Sequence, residues 1–244
     1  MRTELSFPFS HTQPNPQNPI PNYQKKDDPM DREAYVIEQA QKEDIPAIAA
    51  LFTAAFRESV LYYCGSLPEP KAMEDVFTLV RESEPEAALV ARTAAGGIIG
   101  YCFAPSELSG LWRRGICGGH LFFWAWRWLT GQYGFRFRPL LVILAGKISF
   151  FRSALTPAKA ADARILSIAV AEDWRGRKVA QQLMHHALRY LECRKVSRVR
   201  LEVRPDNGPA VRVYEKMGFV AGGMTRDCQG PWLIMFKEMG RRHV

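Results

Sequence analysis

The sequence predicts a mixed α/β protein: a central sheet flanked by helices, interrupted by an apolar and basic insertion. Three observations carry this. From 163 to 219 the hydrophobic pattern runs strand, loop, helix, strand, loop, helix, its period switching between two and 3.6. Residues 87–104 read as two apolar strands joined through Gly96-Gly97, an antiparallel hairpin. Between these regions, residues 108–161 hold eight Lys or Arg and no Asp or Glu, among many aromatics. At 244 residues the chain can bury a sizeable core.

Residues 1–33 are rich in Asn, Gln and Pro and lack an apolar run, so a disordered tail is expected rather than a secretory signal. A single domain should fill 34–244, with 105–161 inserted as a lid or interfacial segment. Residues 35–40 form a first strand. Asp44, Ile45, Ile48, Leu51, Phe52 and Phe56 mark an amphipathic helix with an acidic start. Residues 71–82 form another, with Met73, Val76, Phe77 and Val80 on one face. The hairpin strands are 87–91 and 98–104.

The insertion holds the chain's whole excess of charge, a formal +8, which implies acidic ligands or surfaces. Its apolar runs, 121–129 and 139–146, fall short of the roughly 20 residues that span a bilayer. Three readings stay open: a helical lid or homodimer face whose aromatics pack, an interfacial element on an anionic membrane, and a wall for an anionic acceptor. No nucleic-acid module is recognisable, and nucleic acid is not an expected partner. Cys64, Cys102, Cys117, Cys193 and Cys228 form no C-x-x-C pair and no metal spacing. That suits a reducing cytoplasm, at the membrane periphery if the insertion is interfacial, and no metal is expected.

After the insertion, 164–170 is a β-branched strand. Val179, Leu183, Ala187, Leu188 and Leu191 recur at helical spacing, and Val199, Leu201 and Val203 alternate with charges. Residues 205–209 break the chain, and a short helix carries Tyr214 until Gly218 stops it. Strands 219–222 and 232–237 close the sheet, joined by the polar loop 225–230. The turn 175–180 leaves a strand and opens a helix, so it presents unpaired N–H groups at the positive end of a helix dipole. Arg175, Arg177 and Lys178 add charge, while Gly176 and Ala180 allow close approach. The turn is either a pyrophosphate site or an ordinary turn with solvated arginines.

Together these motifs resemble the core of the GNAT superfamily of N-acetyltransferases. That family carries Arg/Gln-x-x-Gly-x-Gly/Ala at this turn. Arg175 and Ala180 match its ends, and Lys178 stands where the middle glycine is usual. Asn207, Ala210, Tyr214, Gly218 and Phe219 match the end of the family core. The run 201–219 is similar to the branch that acetylates protein N-terminal amines. The resemblance implies a mostly antiparallel GNAT-like sheet and direct transfer from acetyl-CoA to a primary amine in a ternary complex.

Such transfer needs a deprotonated amine, a polarised thioester carbonyl and a protonated leaving thiolate. By resemblance the backbone of Ile168, Ala169 and Val170 holds the pantetheine arm. Arg175, Gly176, Arg177, Lys178, Val179 and Ala180 hold the pyrophosphate, and Asn207 lies near the cofactor's far arm. Tyr214 is the candidate general acid, because a phenol with an ordinary pKa of about 10 is protonated at neutral pH. Glu202 is the candidate base, set by strand alternation beside Arg200 and Arg204. The competing reading makes Glu202 a surface ion pair. The acceptor stays open between an amino sugar, a small amine and a protein N-terminus. The alternative of another class is a catalytically silent acyl-CoA-binding or membrane-docking protein. His185 and His186 are adjacent on a helix and so are not a metal pair.

Overall fold

In the computed structural model, residues 34–107, 115, 117–133 and 161–240 are described. The expected tail 1–33, residues 241–244 and most of the insertion, including the run 139–146, lie outside the described residues. The chain forms two four-stranded sheets. One contains β1 (Tyr35–Gln39), β2 (Ala88–Thr93), β3 (Ile98–Phe103) and β5 (Ser167–Val170), in the order β1-β2-β3-β5. The other contains β4 (Ala163–Arg164), β6 (Arg198–Val203), β7 (Val220–Asp227) and β8 (Gly230–Glu238), in the order β4-β6-β8-β7. Among the described residues every pairing is antiparallel except β4 with β6. The expected mixed, mostly antiparallel sheet is present.

The helices are α1 (Ile45–Ala55), α2 (Arg57–Cys64), α3 (Pro70–Ser83), α4 (His120–Leu129), α5 (Val179–Cys193) and α6 (Gly208–Lys216). The hairpin of β2 and β3 is apolar on both faces because both are covered. Leu89 and Ala91 face the cluster built on Leu183, Met184, Ala187 and Leu191 of α5. Ala88 and Val90 face the cluster of Ile48, Ala49 and Phe77 from α1 and α3. Gly100 lets α5 approach: a Cβ there would sit 3.1 Å from Leu183 Cδ1 and 3.3 Å from Val179 Cγ1. That close approach fixes where the N-terminus of α5 lies.

Two expectations need correction. The helix read as running to Phe56 ends at Ala55, and Phe56 (φ −117°, ψ 27°) starts a second helix, α2. The acidic start at Asp44 is present and is tied into the fold. It is buried and accepts two hydrogen bonds from Arg92 Nη2, at 2.8 and 2.9 Å. The closing strands are longer than read, meeting at Asp227 and Gly230. Asp227 Oδ1 accepts from the N–H groups of Gln229 and Gly230, which folds the polar residues into a tight turn instead of a loop.

Candidate active site

The segment read as one strand, 164–170, changes sheets within one residue. Ala163 and Arg164 pair with Val199 and Arg200 of β6, and Ile165 N–H still donates to Arg200 O at 2.9 Å. The next residue, Leu166, donates to Phe103 O on β3, also at 2.9 Å. Ile165 is anchored in the α5-side core and Leu166 in the α1/α3-side core, so packing pulls the chain apart there. Beyond that point β5 is the edge of its sheet. Ala171 N–H donates to Ile99 O, and Ala169 is registered against Tyr101. By the two-residue alternation of an antiparallel ladder, Ala169 turns its polar groups to β3, whereas Ile168 and Val170 present theirs to the open edge.

The turn that follows is cradle-shaped. Gly176 (φ 81°) and Lys178 (φ 62°) are both left-handed, a backbone alternation that points successive N–H groups toward one concavity. Lys178 immediately precedes α5, and its carbonyl accepts the first helical bond, from Gln182. The N–H groups of Val179, Ala180 and Gln181 therefore have no intrahelical acceptor. No acidic residue occupies that first turn. Arg175, Arg177 and Lys178 are exposed, and Arg177 lies over the Trp174 ring at 4.8 Å. Val179 is buried. A glycine at Lys178 would hold the same left-handed backbone without the Cβ crowding, of about 1 kcal/mol, that the lysine bears.

Tyr214 projects from α6 and packs, edge to face with Phe219, against the core that also receives Ile168 and Val170. Burial, then the nearby Cys102, raise its hydroxyl to about 12. Cys102, wholly buried on β3 opposite Ile168, is itself pushed by burial to about 12. A thiol in these surroundings is thus about as basic as the tyrosine beside it. Asn207 is exposed and caps α6, its Oδ1 accepting from Ala210 N–H at 3.2 Å.

Glu202 is not on an open strand surface. It is half-buried, and its two oxygens accept from Arg164 and Arg200. Arg200 is among the buried residues, so both faces of β6 are covered. A carboxylate offers about four lone-pair sites, so two such bonds leave acceptor capacity. At the end of β6, Arg204 bonds Asp227 at 3.2 Å and lies over Trp232 at 3.9 Å. Tyr63 of α2 donates to Asp227 Oδ2 at 2.6 Å, Trp232 Nε1 to the same oxygen at 2.7 Å, and Tyr62 to Cys228 O at 2.9 Å. Burial alone would raise the Asp227 carboxyl; bonds from Tyr63 and Trp232 and the Arg204 charge together hold it below its ordinary value. This clasp between α2 and the β7–β8 turn was not foreseen from sequence. The pair Tyr62-Tyr63 was its only signal, and α2 had not been separated from α1.

The five cysteines are all free. His185 is exposed, and burial, Arg189 and His185 lower the half-buried His186 below the ordinary imidazole value. No metal-binding group of His, Cys, Asp or Glu occurs among the described residues. No single described helix is long and apolar enough to cross a membrane; the bent α1–α2 pair meets that test only by combined length and composition.

A strand that leaves its neighbour beside an open helix N-terminus, with a half-buried tyrosine, gives this α/β fold an edge and a cationic turn suited to an extended anionic ligand. Residues 45–219 match the family model described as "Acetyltransferase (GNAT) family", and the chain belongs to that family. It is an N-acetyltransferase, and acetyl-CoA is the family's acetyl donor. The chain is 32% identical over 108 residues to the [ribosomal protein bS18]-alanine N-acetyltransferase of Salmonella typhimurium, covering 44% of this chain and 72% of that protein. It is 33% identical over 66 residues to the putative [ribosomal protein bS18]-alanine N-acetyltransferase of Bacillus subtilis, covering 27% of this chain and 44% of that one. Two solved structures share the fold. SsHAT has a TM-score of 0.61 and 20% identity, covering 85% of this chain and 100% of its own. Ard1 from Thermoplasma volcanium has a TM-score of 0.53 and 18% identity, covering 85% and 99%.

Proposed function

We propose that this chain, as one domain over 34–244, acetylates the N-terminal amine of a peptide or protein by direct transfer from acetyl-CoA in a ternary complex. The observation that carries the reading is the passage of the chain from β4, paired with β6, to β5, which leaves β6 for the other sheet directly ahead of the turn 175–180. Bound there, acetyl-CoA supplies an acetyl thioester open to attack. The N–H groups of Ile168 and Val170 hold the pantetheine arm and polarise the carbonyl, while Ala169 anchors that edge to β3. Arg175, Gly176, Arg177, Lys178, Val179 and Ala180 take the pyrophosphate on backbone N–H groups and flanking cations. The Asn207 side-chain amide, its oxygen committed to the helix cap, has its NH₂ left for the donor's far arm.

Glu202 accepts the proton of the incoming ammonium through the lone pairs that Arg164 and Arg200 leave open, directly or by way of a water. The amine nitrogen then bonds the acetyl carbon, the carbon–sulfur bond breaks as Tyr214 protonates the sulfur, and the second amine proton passes to the Tyr214 phenolate, which leaves a neutral amide, free thiol and the phenol restored.

A peptide acceptor is favoured over an amino sugar for two reasons. The relatives reported above are named [ribosomal protein bS18]-alanine N-acetyltransferases. The clasp of Tyr63, Asp227 and Trp232 also stands at the end of β6 two residues past Glu202, where a chain end could lie. The test is acetyl-CoA turnover on peptides beginning with Ala or Ser, on the same peptides with blocked N-termini, and on glucosamine. Turnover confined to free N-termini supports the proposal. Equal turnover on blocked peptides, or turnover on the sugar alone, overturns it.

A further inference from the structure

We infer that the outward face of α4 docks this enzyme on an anionic lipid surface, independently of which amine it acetylates. The helix is apolar on both sides, whereas a surface helix buries its apolar side and shows its polar one: Trp124 and Trp128 are half-buried, yet a second apolar row stays exposed. Its polar groups point inward to α3: Arg127 Nη1 bonds Asp75 at 2.6 and 2.8 Å, and His120 Nε2 lies 3.5 Å from Glu82. Just past the helix, Tyr133 donates to Asp75 at 2.7 Å, securing the same edge. The outward side carries Phe122, Trp126 and Leu129, exposed by 78%, 57% and 71%, at i, i+4 and i+7 spacing. Phe123 joins them at 48% exposure, under the Arg127 guanidinium at 4.1 Å.

Such a face calls for an occupant, and charge selects it. Residues 108–161 contain eight Lys or Arg and no Asp or Glu, so no carboxylate along the insertion would repel lipid phosphates. Arg113 and Arg114 precede α4 in sequence, and Arg136 and Arg138 follow it. Aromatic and leucine side chains flanked by arginines meet the two requirements of stable peripheral binding, apolar insertion and attraction to anionic headgroups. A symmetric contact of residues 108–161 with the same residues of a second copy would set like charges against each other, since that stretch has no Asp or Glu.

The experiment is co-sedimentation of the full chain with phosphatidylcholine vesicles, with and without phosphatidylglycerol, for wild type and for a Phe122→Ser, Trp126→Ser, Leu129→Ser triple variant. Melting temperature, acetyl-CoA affinity and size-exclusion volume are measured alongside. Expected is binding only to the anionic vesicles, weakening with salt, and lost by at least about tenfold in a triple variant that melts and binds acetyl-CoA as before. Absence of wild-type binding, or equal binding to neutral vesicles, overturns the inference. So does a triple variant that melts earlier with vesicle binding unchanged, since the face is then covered by the chain itself. A wild-type dimer that the variant dissociates, without vesicle binding, assigns the face to a second copy and also overturns it. Should the triple variant not fold, brominated phosphatidylglycerol must quench wild-type fluorescence more than that of Trp126→Phe; equal quenching sinks the idea.

Discussion

The chain carries two clusters of cations, at the start of α5 and along β4 and β6, and treats them oppositely. Arg175, Arg177 and Lys178 stand exposed at the mouth of α5, and none of them makes an ion pair among the described residues. Arg164, Arg200 and Arg204 are largely buried, and each holds a carboxylate, Glu202 or Asp227. On the proposed function the first group serves the anionic donor that arrives from outside. The second is spent on the protein, holding β4 to β6 and the end of β6 to the β7–β8 turn. Identical residue types thus carry opposite energetic signs: removing an exposed cation relieves self-repulsion, while removing one partner of a buried pair strands the other's charge.

The largest effect should come where chemistry, not charge pairing, is removed. Tyr214→Phe should lower kcat by about a hundredfold or more while acetyl-CoA affinity stays within about twofold, measured by steady-state turnover and calorimetry. A variant that keeps full turnover would leave Tyr214 as a packing residue against Phe219.

Glu202→Gln probes the buried cluster. It removes the charge that Arg164 and Arg200 share, so it should cost about 3 kcal/mol, seen as a melting point lower by about 6–12 °C, with turnover falling at least tenfold. If Glu202 only holds arginines, stability falls but the pH dependence of kcat keeps its acidic limb; if it is the base, that limb disappears.

Lys178→Gly probes the exposed cluster, and its two readouts should move in opposite directions. Relief of the left-handed backbone should raise stability by up to about 1 kcal/mol, while loss of the ammonium should weaken acetyl-CoA binding several-fold. Tighter binding in the glycine variant would mean that the lysine obstructs the pyrophosphate.

The smallest effect concerns pH. Burial raises Tyr214 to about 12 in the folded chain against about 10 unfolded, so between those values the folded state binds more protons. Its contribution is complete below pH 10 and is lost as pH rises toward 12. The melting point should fall through that window, and less steeply in Tyr214→Phe.

Much of the site was readable before any coordinates, because its residues lie close in sequence and each obeys a local rule. The strand–turn–helix about Gly176 and the strand-to-helix passage from Glu202 to Tyr214 both follow from period and turn chemistry. The separation of β4 from β5 was not readable. Residues 164–170 form one β-branched run, and nothing local says that Ile165 and Leu166 belong to different cores. The boundary between α1 and α2 was hidden for the same reason, as Phe52 and Phe56 continue one apolar stripe.

By itself, then, the sequence determined the order of elements, the basic turn opening α5, the positions of Glu202 and Tyr214, and the lopsided charge of the insertion. These are properties of spacing and composition. The tertiary structure decided that two sheets part at Ile165, that Glu202 lies between two arginines, that Tyr63 reaches Asp227 across 164 residues, and that α4 turns its aromatics outward. Each of these depends on which distant surfaces meet, and pairing between segments far apart in the chain leaves no periodic trace along it.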